Sequence, residues 1–346
     1  MTKTLKLHIG QHKTGTSFLQ SVLALSTGAL AACGILYPTD KSTARAATGD
    51  VSFGNWPSFR AVLEGPDLLD QMAEPVVLFS SEGFCENLPE PEFLTQFQRL
   101  VADDRIGAVE VVLYIRDPVA YALSYAQQLT KRAGEGLLDA GAIFAKVSGP
   151  QVARLVMQAL DTLPKVRLTV LNYSVLRSRL KDSLAVWLGV DAAILTAPPQ
   201  GIVNRSMTQS ELMLIAAVNR GMATPSMTLA DALVNRLPEI TAQHLRPSLA
   251  AQNAYWDRIA PDVDWINARI PPDQAYSRPR DLGPPVGAAD SAGFSATQIA
   301  VIAEVLATAL TDAQTLRLTL TDLRKRGAAQ REKIAELKEV LARRRN

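Results

Sequence analysis

Lys13, Thr14, Gly15, Thr16 and Ser17 stand between Gly10 and the apolar run that begins at Phe18. A lysine set among glycines and hydroxyl side chains suits an anion. Glycine lets the backbone approach closely, N–H groups at a helix start converge, and the ammonium neutralises charge. Glu82 offers different chemistry, a carboxylate able to take a proton from an attacking hydroxyl. Arg116, followed by Asp117 and Pro118 and, eight positions on, by Ser124, offers a third. Its planar fork donates paired hydrogen bonds to phosphate oxygens. An ion pair with Asp117 is the structural alternative for Arg116, and a first-turn carboxylate at a helix dipole is the alternative for Glu82.

These residues need a scaffold that brings them together. Leu5, Leu7 and Ile9 read as a buried strand, and Phe18, Leu19, Val22, Leu23 and Leu25 as the apolar positions of the following helix. Further apolar runs at 35–37, 76–79, 109–115 and 166–171 read as strands, with helical patterns near 59–72, 92–101, 151–160 and 175–188 between them. The stretch 39–56 reads as loop. Such alternation predicts an α/β fold with a P-loop-like central parallel β-sheet flanked by helices. Ligands of such sheets bind beyond the carboxyl ends of the strands. The turns at 10–17, 80–82 and 116–117 all follow strand ends, so the sheet should gather them at one rim. From 206 to 270 the pattern is helical, a region suited to covering the acceptor side; Trp256 and Trp265 read there as packing aromatics. The segment 271–293 reads as a linker rich in Pro, Gly and Ala.

The first motif departs from the nucleotide-binding P-loop in one place. Thr16 stands where that loop has its lysine, and the lysine lies at position 13. The variant His12-Lys13-Thr14-Gly15-Thr16-Ser17 resembles the 5′-phosphosulfate loop of sulfotransferases that use 3′-phosphoadenosine-5′-phosphosulfate (PAPS). Arg116-Asp117-Pro118 with Ser124 resembles the same family's 3′-phosphate motif. The resemblance covers roughly residues 3–310. It implies PAPS as the donor, adenosine 3′,5′-bisphosphate as the product, and a cofactor site formed by residues 12–17, Arg116 and Ser124. Lys13 would stabilise the leaving phosphate without a metal. Glu82 would be the base, as in the heparan-type branch, with His12 and His8 as alternatives; His8 alternates within the first strand and reads as core. Asn204-Arg205-Ser206 resembles a segment of bacterial members that modify glycans, which would place Arg205 at the cofactor; helix capping by Ser206 or Thr208 is its alternative. The acceptor implied is a hydroxyl or amine, of a carbohydrate or glycolipid. Two other classes stay open: a P-loop kinase using ATP and magnesium, with Ser17 as metal ligand, and a non-catalytic assembly protein on the same fold.

Composition narrows the rest. A net charge of +2 over 346 residues does not describe a nucleic-acid binder. The two cysteines and three histidines are scattered and suggest neither a disulfide framework nor a metal site. No signal peptide precedes the first strand and no uninterrupted apolar run approaches a membrane span, so a soluble, cytoplasmic protein without a transmembrane segment is expected. The chain should divide into a catalytic domain, 1–312, and a terminal helix, 313–346. In that helix Leu316, Leu320, Leu323, Gly327, Gln330, Ile334, Leu337 and Leu341 repeat at spacings of four and three. This is the period of a coiled coil or a docking helix. From Arg324 onward nine Arg/Lys face three Glu, a local charge of +6. A homodimer, docking on a partner and packing on its own domain are all compatible with this pattern.

Overall fold

The computed structural model describes residues 2–49, 52–133, 144–145, 147–199, 205–222, 225–240, 248–278 and 293–343. Asn204, most of the linker at 279–292, and the terminal Arg344 and Arg345 lie outside them. The architecture is α/β: a five-stranded, all-parallel sheet of order β2-β3-β1-β4-β5 flanked by helices, with a long C-terminal helix. The strands are β1 (Lys3–Gly10), β2 (Ile35–Leu36), β3 (Val76–Ser81), β4 (Ile106–Ile115) and β5 (Val166–Asn172).

Side-chain alternation along the strands divides the interior in two. Leu5, Leu7 and Ile9 of β1 join Val77 and Phe79 of β3 and Val109, Val111, Leu113 and Ile115 of β4 in one cluster. Leu78, Val112 and Tyr114, one residue out of phase, face the other way with Leu19, Leu23 and Leu184. Period-two geometry requires this division. Phe59, Phe84 and Phe97 are fully buried in the first cluster, each contributing roughly 1.5–3 kcal/mol of transfer free energy.

The order places the switch point at β1. From it the chain builds β2 and β3 on one side, then β4 and β5 on the other. Register aligns the strand ends: Ile9 lies beside Ser81, and Gly10 beside Tyr114. The residues just beyond these ends, 11–17, Glu82 and Arg116, therefore share one rim.

Local chemistry alters several sequence expectations. Residues 39–56 are not all loop, because Lys41–Ala47 is a helix; Asp40 accepts from Ser42 and Thr43 N–H while Thr43 Oγ1 accepts from Asp40 N–H. That reciprocal box offsets a composition that reads as loop. The helix expected at 59–72 is Trp56–Glu64 followed by a 3-10 turn, Pro66–Gln71, since Pro66 cannot continue an α-helix. The region 206–270 separates into two parts. Gln209–Gly221 and Thr228–Arg236 form a small cluster with Val301 of the last helix, whereas Leu249–Asn267 packs Tyr255, Trp256 and Ile259 into the main core.

The last helix runs unbroken from Ala296 to Arg343. Its stretch Ala296–Ala328 is long and apolar enough to cross a membrane by length and composition, with a best-window mean hydropathy of 1.4. This corrects the expectation that no segment reaches that threshold. Glu304 and Asp312 interrupt the apolar run, but alanine, leucine and valine keep its average high.

Candidate functional site

The turn after β1 is shaped by three close contacts. Gln11 N–H donates to Tyr114 O at 3.1 Å, and Gln11 Nε2 donates to Gly149 O at 2.7 Å. Thr14 Oγ1 donates back to Gln11 O at 2.6 Å. Lys13 and Gly15 both have positive φ, 68° and 79°. A Cβ on Gly10 would meet Thr16 Oγ1 at 2.1 Å, and one on Gly15 would meet Leu180 Cδ2 at 2.6 Å. Glycine is therefore required twice, once for space alone and once for space and backbone angle. The helix Thr16–Leu25 starts without a side-chain cap, and its first bond runs from Leu19 N–H to Gly15 O at 3.1 Å. The preceding N–H groups of that turn are the usual unpaired donors of a helix start.

Arg116 closes the same turn from β4. Its Nη1 donates to Lys13 O at 2.8 Å, and the guanidinium lies over the Tyr173 ring, 5.3 Å from its centre. Asp117 does not pair with it; Asp117 Oδ1 accepts from Asn172 Nδ2 at 3.0 Å. Among the described residues no ion pair includes Arg116. Burial, together with the nearby charge of Arg177, lowers its pKa. A half-buried guanidinium with cationic company and no carboxylate partner favours an anion. Ser124, two turns into the helix Pro118–Ala133, is buried, and its hydroxyl has no hydrogen-bond partner among the described residues.

On the other side of the turn, His12 bridges two carboxylates. His12 Nδ1 lies 2.6 Å from Glu82 Oε2, and Nε2 lies 2.8 Å from Glu86 Oε1. Both ring nitrogens facing acceptors means an imidazolium. Burial alone would lower its pKa, but the hydrogen bonds and charges of Glu82 and Glu86 outweigh burial and raise it above 6.5. A raised folded value means the contact stabilises fully below the unfolded value, provided the carboxylates stay ionised. That contribution fades as pH rises through the folded value. NMR titration of the His12 ring should give a midpoint above 6.5, and Glu86→Gln should lower it. An unchanged midpoint in the variant would remove Glu86 from the bridge.

Beside this bridge lies a cavity of about 320 Å³, lined in part by His12, Glu86, Glu90, Tyr121 and Tyr125. The two tyrosine rings are stacked, 5.9 Å apart and 12° from parallel. The turn, Arg116 and the His12 bridge thus occupy contiguous positions on one rim.

No family model matches this chain, and no curated protein does. Among solved structures it is similar to a sulfotransferase domain from the curacin biosynthetic pathway, at 14% identity and a TM-score of 0.35, covering 78% of this chain and 99% of that domain. So slight a likeness does not carry function, which rests on the residues themselves.

One expected site residue falls elsewhere, and His8 is core, as its place in the first strand implies. Arg205 is not at the rim. It is buried in the helical cluster, where Nη1 and Nη2 pair with Glu211 at 2.9 and 2.8 Å and other donors reach Ser206 O and Leu233 O. With its fork engaged by protein acceptors, its role is structural. Thr208 caps the adjacent helix, as the alternative reading had it. His8 is also excluded as a base. It is fully buried, its Nδ1 is 2.7 Å from Ser80 Oγ, and burial holds its pKa at about 3.

Glu86 and Tyr173 touch these candidate groups, Glu86 at His12 and Tyr173 under Arg116, and the sequence does not single them out. Glu86 lies four positions after Glu82 across the short helix Gly83–Asn87, a spacing that places both on one side. Nothing local marks Tyr173, since its ring meets Arg116 only through the β4–β5 pairing.

Proposed function

We propose that this chain is a sulfotransferase that takes its sulfuryl group from PAPS. The observation that carries the proposal is Arg116, a guanidinium without a carboxylate partner joined to the carbonyl of Lys13 at a glycine-framed helix start. The donor set fits a nucleotide carrying phosphates at both ends of its ribose. Backbone N–H groups of Thr14 to Ser17 suit the 5′-phosphate, and Arg116 with Ser124 suits the 3′-phosphate. When bound, PAPS supplies an activated sulfuryl group on a phosphate leaving group. Lys13 places its charge where negative charge grows during transfer, and this stabilisation needs no metal. Glu82 takes the proton of the acceptor hydroxyl or amine through Oε1, while Oε2 stays on His12. His12 and Glu86 hold that carboxylate in place.

The acceptor side supports a narrower reading. Its lining combines stacked tyrosines with Glu86 and Glu90, which suits a neutral or cationic sugar or amine and repels a polyanionic glycan. We place the catalytic function in residues 1–312.

Arg116→Ala tests the carrying observation. Losing the bond to Lys13 O should cost every nucleotide about 0.5–1.5 kcal/mol, and losing the charged contact should cost adenosine 3′,5′-bisphosphate about 1.5–3 kcal/mol more. Calorimetry with that ligand and with adenosine 5′-phosphate separates the two. Equal losses would leave Arg116 only the task of holding the turn.

A further inference from the structure

The C-terminal helix leaves its own domain with its apolar seam exposed from Leu316 to Leu323. Only its first turns are docked: Gln298 Nε2 donates to Glu211 Oε1 at 2.8 Å, Val301 is buried in the helical cluster, and Glu304 pairs with Arg236 at 2.8 Å. Beyond them the four-three spacing extends back from Leu316 through Ala313, Ala309 and Leu306. Leu316 is 69% exposed, Leu320 48% and Leu323 59%. Leu306 and Ala309 also line a groove of about 560 Å³ against Ile215, Met222 and Ala232. A helix laid along the seam would continue into that groove.

Charge on the flanks selects the occupant. With Leu306, Ala313, Leu320, Gly327, Ile334 and Leu341 at heptad position a, the flanking e and g positions from 317 onward hold Arg317, Arg324, Arg326, Arg331, Lys333 and Lys338 and no acid; Asp312, at g, is the one acid on the flanks. By the same count Asp322, Glu332, Glu336 and Glu339 fall at heptad positions c and f rather than e or g. Flanking charges set partner choice in coiled coils. A second copy in parallel would oppose Arg326 with Arg331 and Lys333 with Lys338, against one attractive pairing, Asp312 with Arg317; an antiparallel copy would oppose the basic flanks as well. A bilayer span is disfavoured because the first turns are fixed to Glu211 and Arg236.

We infer that residues 306–341 form one strand of a heteromeric coiled coil with a partner helix whose flanking positions are acidic. Gly327 leaves room in its layer for a large partner side chain.

The test uses the full chain and an acidic surrogate of itself, the variant Arg317→Glu, Arg324→Glu, Arg326→Glu, Arg331→Glu, Lys333→Glu, Lys338→Glu. These positions lie beyond the docked turns, and circular dichroism of each chain checks that the variant is folded. In sedimentation velocity at about 0.15 M salt, where screening acts over about 8 Å, each chain alone should run as a monomer. The mixture should run as a one-to-one complex of doubled mass. Adding Leu320→Asp to the wild-type chain should abolish that complex. The proposal is overturned if the wild-type chain dimerises alone through this helix, which would make a second copy the occupant. A mixture that stays monomeric overturns it too, whether or not the wild-type chain binds phosphatidylcholine–phosphatidylserine vesicles.

Discussion

Replacing Lys13 by alanine should lower turnover with PAPS at least a hundredfold. Removing one well-placed donor from developing negative charge costs roughly 2.7–4 kcal/mol of transition-state stabilisation. The backbone makes this substitution informative. Lys13 has φ 68°, a conformation strained for lysine and alanine alike because both carry a Cβ. The strain is therefore unchanged by Lys13→Ala, and the melting temperature should shift little. The Lys13 carbonyl that accepts from Arg116 also remains. Lost turnover with unchanged melting would read as lost charge. Near-normal turnover would remove Lys13 from the leaving-group side.

Arg205→Ala should destabilise the protein by about 3–5 kcal/mol, the cost of leaving a buried carboxylate without its partner. Both side chains are inaccessible, Arg205 at 4% and Glu211 at 0% exposure. Burial alone would raise the Glu211 carboxyl, but Arg205, Gln298 and Thr208 outweigh it and hold its pKa below 4.5. A lowered folded value contributes stability above the unfolded value, and that contribution is lost as pH falls through the folded one. Urea unfolding should therefore show the wild type losing part of its advantage over the variant in acid. Arg205→Ala should leave adenosine 3′,5′-bisphosphate affinity unchanged in the folded fraction. A selective loss of that affinity would return Arg205 to the cofactor.

The strand ends were legible because each buried run stops at a polar turn, and parallel pairing does the rest. Gly10, Glu82 and Arg116 meet at one rim by register alone. What sequence could not supply was the direction of side chains after those ends. Glu82 read as a lone base, yet its carboxylate is tied to His12, and His12 to Glu86. Arg205 misled because a tripeptide likeness says nothing of depth. The nearby pair Thr208 and Glu211 held the better signal: a capping-box glutamate turns back toward the helix start, which is where Arg205 stands. The tail was legible as a seam, whereas its continuity with the helix beginning at Ala296 was hidden by the polar residues Thr311, Asp312, Gln314 and Thr315 that separate the two apolar patterns.

The proposed site would take a nucleotide bearing a 3′-phosphate and engage it without a metal. Titration calorimetry of the wild-type chain in chelator, with adenosine 3′,5′-bisphosphate and ATP in parallel, tests it most directly. Binding of the bisphosphate should be saturable, with ATP weaker by at least tenfold, a difference of about 1.4 kcal/mol. Tight binding of ATP only when magnesium is restored, with no response to the bisphosphate, would contradict it and favour phosphoryl transfer.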